Sequence, residues 1–202
     1  MVNGTSEFVN QLAIAITTIV FNRSALLFAG EDGVAAVSII MYLQFLCIGI
    51  YFGFSMGLST PLGYAYGDRN FSVCRVLEKY AYRFFAIAPI ILYGCTYLLA
   101  PIGVRFFASP GSTVFDIAVS GLRLYGLGFL FSGINIFAAI RMMTYGKGYI
   151  SGMITFLRSF ALLLLFLTIL PRFLELNGIW LAVPGAEILT LIVALWTLRK
   201  KL

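Results

Sequence analysis

Apolar residues run through this chain in six blocks, with charge and turn residues confined mostly to the gaps between them. The longest block, Val34 to Tyr66, carries no charged side chain. As a straight helix it would measure roughly 50 Å, well over the ~30 Å hydrocarbon thickness of a bilayer. These runs are continuous rather than alternating, so they predict membrane helices and not the strands of an outer-membrane barrel. The spans fall at about residues 5–29, 34–66, 72–99, 114–139, 149–170 and 176–198. Asn22 and Arg23 interrupt the first. The third begins amphipathically at Phe71 and ends at Ala100 and Pro101. Pro171 closes the fifth, and Pro184 sits inside the sixth, as membrane helices tolerate. The fold class is all-α, a polytopic integral membrane protein with six transmembrane helices in one unit over residues 1–202. No internal repeat or low-complexity linker divides it.

Within the second span Gly49, Gly53 and Gly57 recur every fourth residue. At helical pitch they form a smooth stripe against which another helix can approach closely. Pro61, followed by Gly63 and Gly67, predicts a kink or fray before the chain reaches water at Asp68 and Arg69. Two readings stand: a helix-packing stripe, or a hinge that bends during transport beside a cavity.

Composition narrows the class further. Hydrophobic residues make up 61% of the chain and charged ones 11%, against about a quarter charged in a soluble domain. The net charge of +6 is spread between apolar runs and forms no basic face, so nucleic acid is not an expected partner. The partner implied directly is the lipid bilayer. There is no histidine, which removes His-based general-base chemistry, His-containing zinc sites and the usual serine or cysteine triads. Cys47, Cys74 and Cys95 lack metal-ligand spacing and read as small apolar residues. An enzyme, a metal site and a cofactor are therefore not expected. Glu7 stands where a signal peptide would be basic.

Basic residues also set an orientation. Arg69, Arg75, Lys79, Arg141, Lys147, Arg199, Lys200 and Lys201 fall on one side, and only Arg105 and Arg172 on the other. The positive-inside rule then places both termini in the cytoplasm of a multi-pass cell-membrane protein. Arg23, Arg83, Arg123 and Arg158 lie within or at the edge of spans. Arg83 can snorkel to the cytoplasmic surface, and Arg23 and Arg123, about 10 Å from the opposite helix ends, are within snorkelling reach. Arg158 lies about 14 Å from the start of the fifth span, and Glu187 about 16 Å into the sixth at 1.5 Å per residue. The matched depth predicts an intramembrane ion pair, either a structural staple or a proton-linked switch.

Particular motifs carry a resemblance. Asn3–Gly4–Thr5–Ser6–Glu7–Phe8, Phe21–Asn22 and the run from Ala29 to Ile39 (AGEDGVAAVSI) resemble the seventh helix and following turn of multidrug and toxin extrusion (MATE) transporters. The Gly57 to Asn70 stretch resembles that family's helix end before a basic loop. Leu157–Arg158, Leu170–Pro171, Asn177–Gly178–Ile179–Trp180–Leu181 and Pro184–Gly185–Ala186–Glu187 are similar to its last two helices.

The resemblance implies two six-helix lobes related by an axis along the membrane normal, of which this chain is the C-terminal one. It implies a cation-coupled (Na⁺ or H⁺) multidrug efflux antiporter exporting small organic, often cationic molecules. The partner would be an N-terminal six-helix lobe or a second copy of this chain. A flippase for lipid-linked saccharides of the same superfamily and a non-transporting remnant or assembly subunit are the alternatives. Gln11 stands where family members often carry a carboxylate, Thr60 where they carry glutamine, and Arg141 where a neutral polar residue is expected. These departures bear on cation coupling through this lobe.

For the substrate or cation pathway the candidates are Glu7, Gln11, Asn22 and Asn135. Glu7 near a helix start is also favoured by the helix dipole, and Asn22 and Asn135 can equally be interhelical glue. Tyr42, Phe45, Tyr51 and Phe52 either face lipid or line a pocket for planar cations.

Overall fold

The computed structural model describes residues 2–199, with side chains placed within 12–199. Glu7 and Gln11 therefore lie outside the residues whose side chains are described, as do Lys200 and Lys201. The elements are α1 (Val2–Gly67), α2 (Phe71–Arg105), α3 (Thr113–Tyr125), α4 (Phe129–Thr144), α5 (Gly148–Phe156), α6 (Leu162–Ile169) and α7 (Pro171–Arg199). A 3₁₀ turn, Gly126–Gly128, joins α3 to α4, and a π-helical turn, Leu157–Ala161, joins α5 to α6. No strand occurs among the described residues, in line with an all-α membrane protein.

Five helices are long and apolar enough to cross a membrane, one fewer than the six blocks suggest. The difference lies in α1, which runs through the first two blocks as one element. Gly30, at φ 62° and ψ −150°, breaks it, a backbone geometry that glycine adopts without the strain a Cβ would bring. Beyond it the chain folds back: a Cβ placed on Gly33 would sit 2.7 Å from the Ala25 carbonyl oxygen. Thr18 and Phe45 consequently line one cleft together. The element is a helical hairpin with two membrane-length legs. Glu175, at φ 50° and ψ −130°, makes the corresponding reversal in α7, bringing Gly178 against the Leu170 carbonyl.

Helix starts follow from capping. The Asn70 side chain accepts the Val73 amide at 3.3 Å, and Ser112 accepts that of Phe115 at 3.2 Å. Each satisfies one orphan donor of the first turn. The expected stop at Pro101 is overrun, and Pro61 lies inside its span as expected. Pro61 and Pro101 remain inside α1 and α2, which continue to Gly67 and Arg105. Membrane helices re-satisfy the backbone groups that a proline frees.

The core is built around α4, which packs on α1, α2, α5 and α7. Nearly every α4 residue from Ser132 to Met142 is buried, so it is apolar on all sides, as a central helix must be. Trp180, Tyr51, Phe21, Phe129 and Phe137 are the largest fully buried side chains. Inside a bilayer these side chains stabilise by close packing, since lipid is as apolar as they are.

Close approach depends on glycines other than the predicted ones. A Cβ on Gly121 would stand 2.8 Å from the Trp180 indole, and one on Gly133 would stand 2.7 Å from the Phe85 ring. At Gly49, Gly53 and Gly57 nothing lies within 4 Å of such a Cβ, and all three are exposed. Among the described residues the stripe meets no other helix, because the neighbouring helices pack on the opposite face of the second leg, where Val37, Ile40, Tyr51, Ser55 and Leu62 are buried.

Candidate functional site

Polar side chains inside an apolar bundle need partners, and α4 supplies them at two levels. Near its middle Asn135 is fully buried. Its Nδ2 donates to the Glu187 backbone carbonyl at 2.9 Å and to Glu187 Oε2 at 2.7 Å. The other carboxylate oxygen, Oε1, accepts from Arg158 Nε at 3.1 Å and Nη2 at 2.5 Å. This fork is the bidentate use of a guanidinium, here spent on one oxygen while the amide holds the second. Glu187 lies midway between Glu175 and Arg199, so about 18 Å from either end at ~1.5 Å per residue.

Arg158 reaches Glu187 from the π-helical turn. There the Leu162 amide bonds to the Leu157 carbonyl, one residue further back than in an α-helix. Such a turn inserts a residue, shifts the register of the side chains that follow, and leaves a carbonyl free of its usual donor. Thr17 of the first leg donates to the Ser159 carbonyl at 3.4 Å, and to Ala13 of its own helix at 2.8 Å. The π turn thus ties α1 to the strip of polar groups running through α4 and α7. The carboxylate is the junction of this strip. It holds an amide and a guanidinium together.

A second cluster sits at the other end of α4. Glu78 Oε1 accepts from Arg141 Nε, and from the Tyr145 hydroxyl at 2.7 Å. Glu78, Arg141 and Tyr145 are all buried, and the Arg141 guanidinium lies 5.0 Å above the Tyr145 ring. Burial, reinforced by the bond to Glu78, pushes the Tyr145 hydroxyl above the usual phenol range, so it stays a donor. Arg141 Nη1 is buried with no hydrogen-bond partner. Arg141, counted among the basic residues of one membrane side, joins Glu78 in an interhelical contact between α2 and α4. A signal was available in the sequence: Glu78 shares helical spacing with Cys74, Ala81 and Phe85, which form the buried face of α2. These are the two ion pairs among the described residues.

The remaining candidates are in the α1 hairpin. Asn22 and Ser38 line two adjoining clefts between its legs, about 600 and 570 Å³. The first also has Arg23, Leu26, Glu31, Val34 and Ala35 on its walls; the second has Thr18, Val37, Met41, Tyr42 and Phe45. Asn22 Oδ1 is buried with no partner. Asn22 and Asn135 do not share a site: one opens into these clefts, and the other is held by Glu187. The four aromatic candidates separate too. Tyr51 is in the core, donating to the Phe129 carbonyl at 2.9 Å, while Tyr42, Phe45 and Phe52 are exposed. Arg123 donates to the Tyr97 carbonyl at 3.3 Å and stacks over its ring, so it is anchored within the bundle. No group of three or more His, Cys, Asp or Glu able to hold a metal ion occurs among the described residues.

Membrane-length helical legs around a central, buried helix define a polytopic membrane protein. The chain belongs to the MatE (multidrug and toxin extrusion) family, whose sequence profile it matches over residues 8–170. Its fold is similar to an outward-facing multidrug resistance MATE family transporter of the MOP superfamily (TM-score 0.84, 23% identity). It is also similar to an inward-facing form of such a transporter (TM-score 0.86, 22% identity). A third likeness is to a MOP superfamily transporter from Pyrococcus furiosus, for which reversed polarity of the binding pocket was taken to suggest a different function (TM-score 0.85, 23% identity). In each, 96% of this chain is covered, against 44%, 45% and 44% of the other. The chain thus spans less than half the length of these transporters. No curated protein matches the sequence.

Proposed function

We propose that the chain acts as the C-terminal six-helix lobe of a cation-coupled, Na⁺ or H⁺, multidrug efflux antiporter. It works by alternating access against an N-terminal lobe or a second copy of itself. The observation that carries this reading is the near-equal likeness to inward-facing and outward-facing transporters, at TM-scores of 0.86 and 0.84. A lobe that fits both states equally is one that rocks as a rigid body, as alternating access between bundles requires. The paired Arg158–Glu187–Asn135 strip supplies that rigidity across α4, the π turn and α7.

In this reading the substrates are small organic, often cationic molecules. Both termini face the cytoplasm, and the Gly30 turn faces outward. Asn22 belongs to the pathway wall, with Glu7 and Gln11 preceding it on the same leg. Asn135 acts with Glu187 as interhelical glue.

The test is efflux of a fluorescent organic cation from vesicles holding the purified chain, under an imposed Na⁺ or H⁺ gradient. Transport is expected from a cross-linked pair of lobes and not from the monomer, because one lobe forms only one wall of a cavity. Efflux by a demonstrated monomer would overturn the proposal. Silence from every paired arrangement would favour an assembly subunit.

A further inference from the structure

We propose that the cleft between the two legs of the α1 hairpin binds the headgroup of phosphatidylethanolamine, a zwitterionic membrane lipid. Three observations meet there. Arg23 and Glu31 line one cleft yet make no ion pair with each other or with any other described residue. Asn22 Oδ1, on the wall of both clefts, is buried without a donor. The adjoining cleft is floored by Val37, Met41, Tyr42 and Phe45 and is apolar enough for an acyl chain.

The depths fit this ligand. Gly30 turns between two membrane-length legs and so lies at a membrane face. Glu31 is at that turn, and Arg23 lies about 10 Å below it along the first leg. The headgroup zone is some 5–8 Å thick on each side of the hydrocarbon, so Arg23 starts in the hydrocarbon and its side chain snorkels back to phosphate level. A guanidinium there takes a phosphate with charge-assisted hydrogen bonds. Glu31 stands further out, where the ammonium of an ethanolamine headgroup projects, and that ammonium carries the N–H donors Glu31 lacks. A choline headgroup has the same charges but no N–H to give. A glycerol headgroup brings the phosphate without the cation, and meets Glu31 with nothing to offset it. The order of preference follows as ethanolamine, then choline, then glycerol.

The experiment is native mass spectrometry of the purified full chain in detergent, titrated with the three phospholipids carrying identical acyl chains. Phosphatidylethanolamine is expected to bind at least ~10-fold tighter than phosphatidylglycerol, the scale of one charge-assisted contact. Arg23→Gln should remove most binding of all three, and Glu31→Gln should erase the ethanolamine preference while sparing phosphatidylglycerol. Both residues are exposed, so neither change should alter the melting temperature. Ser38→Phe provides a second route, filling the cleft while leaving Arg23 and Glu31 in place, and it too should abolish binding. Equal affinity for the three lipids, unchanged by Arg23→Gln and Ser38→Phe, would overturn the site. So would soluble phosphoethanolamine competing as well as the lipid, since a membrane occupant needs its chain in the apolar cleft.

Discussion

The α1 hairpin and the bundle of α2 to α7 treat their charges in opposite ways. In the bundle Glu187 is met by Arg158 and Asn135, and Glu78 by Arg141 and Tyr145. In the hairpin Arg23 and Glu31 have no counter-ion among the described residues, while buried polar atoms without a partner occur in both regions, Asn22 Oδ1 in one and Asn135 Oδ1 and Arg141 Nη1 in the other. Particular glycines differ as well: Gly121 and Gly133 are pressed against Trp180 and Phe85, while nothing described lies within 4 Å of a Cβ on Gly49, Gly53 or Gly57. A charge left alone near mid-bilayer costs at least about 2.5–3.5 kcal/mol, so a region that pairs its buried charges is built to hold one shape. The hairpin leaves polar groups open to whatever enters the cleft, which is how a wall of a binding path is made. In the proposed reading, stability is concentrated in one region and recognition in the other.

The largest test of this division is Glu187→Ala. It strands Arg158 and Asn135 at mid-depth, and breaking a buried pair from one side costs about 3–5 kcal/mol. Unfolding in mixed detergent should shift by that amount, and Arg158→Glu combined with Glu187→Arg should recover much of it. Next comes Glu78→Ala. Glu78 lies about 10 Å from the start of α2, so the Arg141 it strands is closer to water, and a loss of about 2–3 kcal/mol is expected. Single mutants without effect at either position would remove the bundle's claim to be the rigid part.

A core overpacking substitution follows in size. Gly133→Leu drives a side chain into Phe85 and Tyr51. Overpacking of this kind costs typically about 1–3 kcal/mol. The melting temperature should fall, while lipid and substrate binding at the hairpin stay as they were. A hairpin that loses its ligands at the same time would show that the two regions are not separable.

How much of this was legible follows from what sequence signals can carry. Uninterrupted apolar length is a one-dimensional property, so the all-α membrane fold and the positions of the spans are readable from it. The juxtaposition of Arg158 and Glu187 also projects onto one dimension, because the two helices are joined by a tight reversal and depth can be counted from it. Glu78 and Arg141 are 63 residues apart and on helices that do not follow one another. Their meeting depends on which faces α2 and α4 turn inward. The buried spacing of Cys74, Glu78, Ala81 and Phe85 held that information on one side only. Glycine spacing misled for a related reason: periodicity shows that Gly49, Gly53 and Gly57 share a face, and says nothing about what that face meets. Gly121 and Gly133 have no such period, and only the placement of Trp180 and Phe85 shows why a Cβ is excluded there.

The smallest effect on stability is expected where the sequence pattern looked strongest. Gly53→Leu adds a large side chain at a position whose nearest neighbours leave more than 4 Å around a Cβ, on an exposed face of the second leg. A surface change away from any packed feature usually stays within about 0.5 kcal/mol, and loss of glycine from a helix interior contributes in the stabilising direction. The isolated chain should therefore melt as the parent does. If the stripe meets a second lobe, the same substitution should hold two backbones apart, since small residues are what permit close helix contact in a membrane. Cross-linking of paired lobes should then fall while the melting temperature of the single lobe is unchanged. A drop in the melting temperature of the single lobe would mean that α1 packs more tightly than its open glycines indicate. Full retention of both would place the stripe against lipid, and the second lobe would have to meet this chain elsewhere.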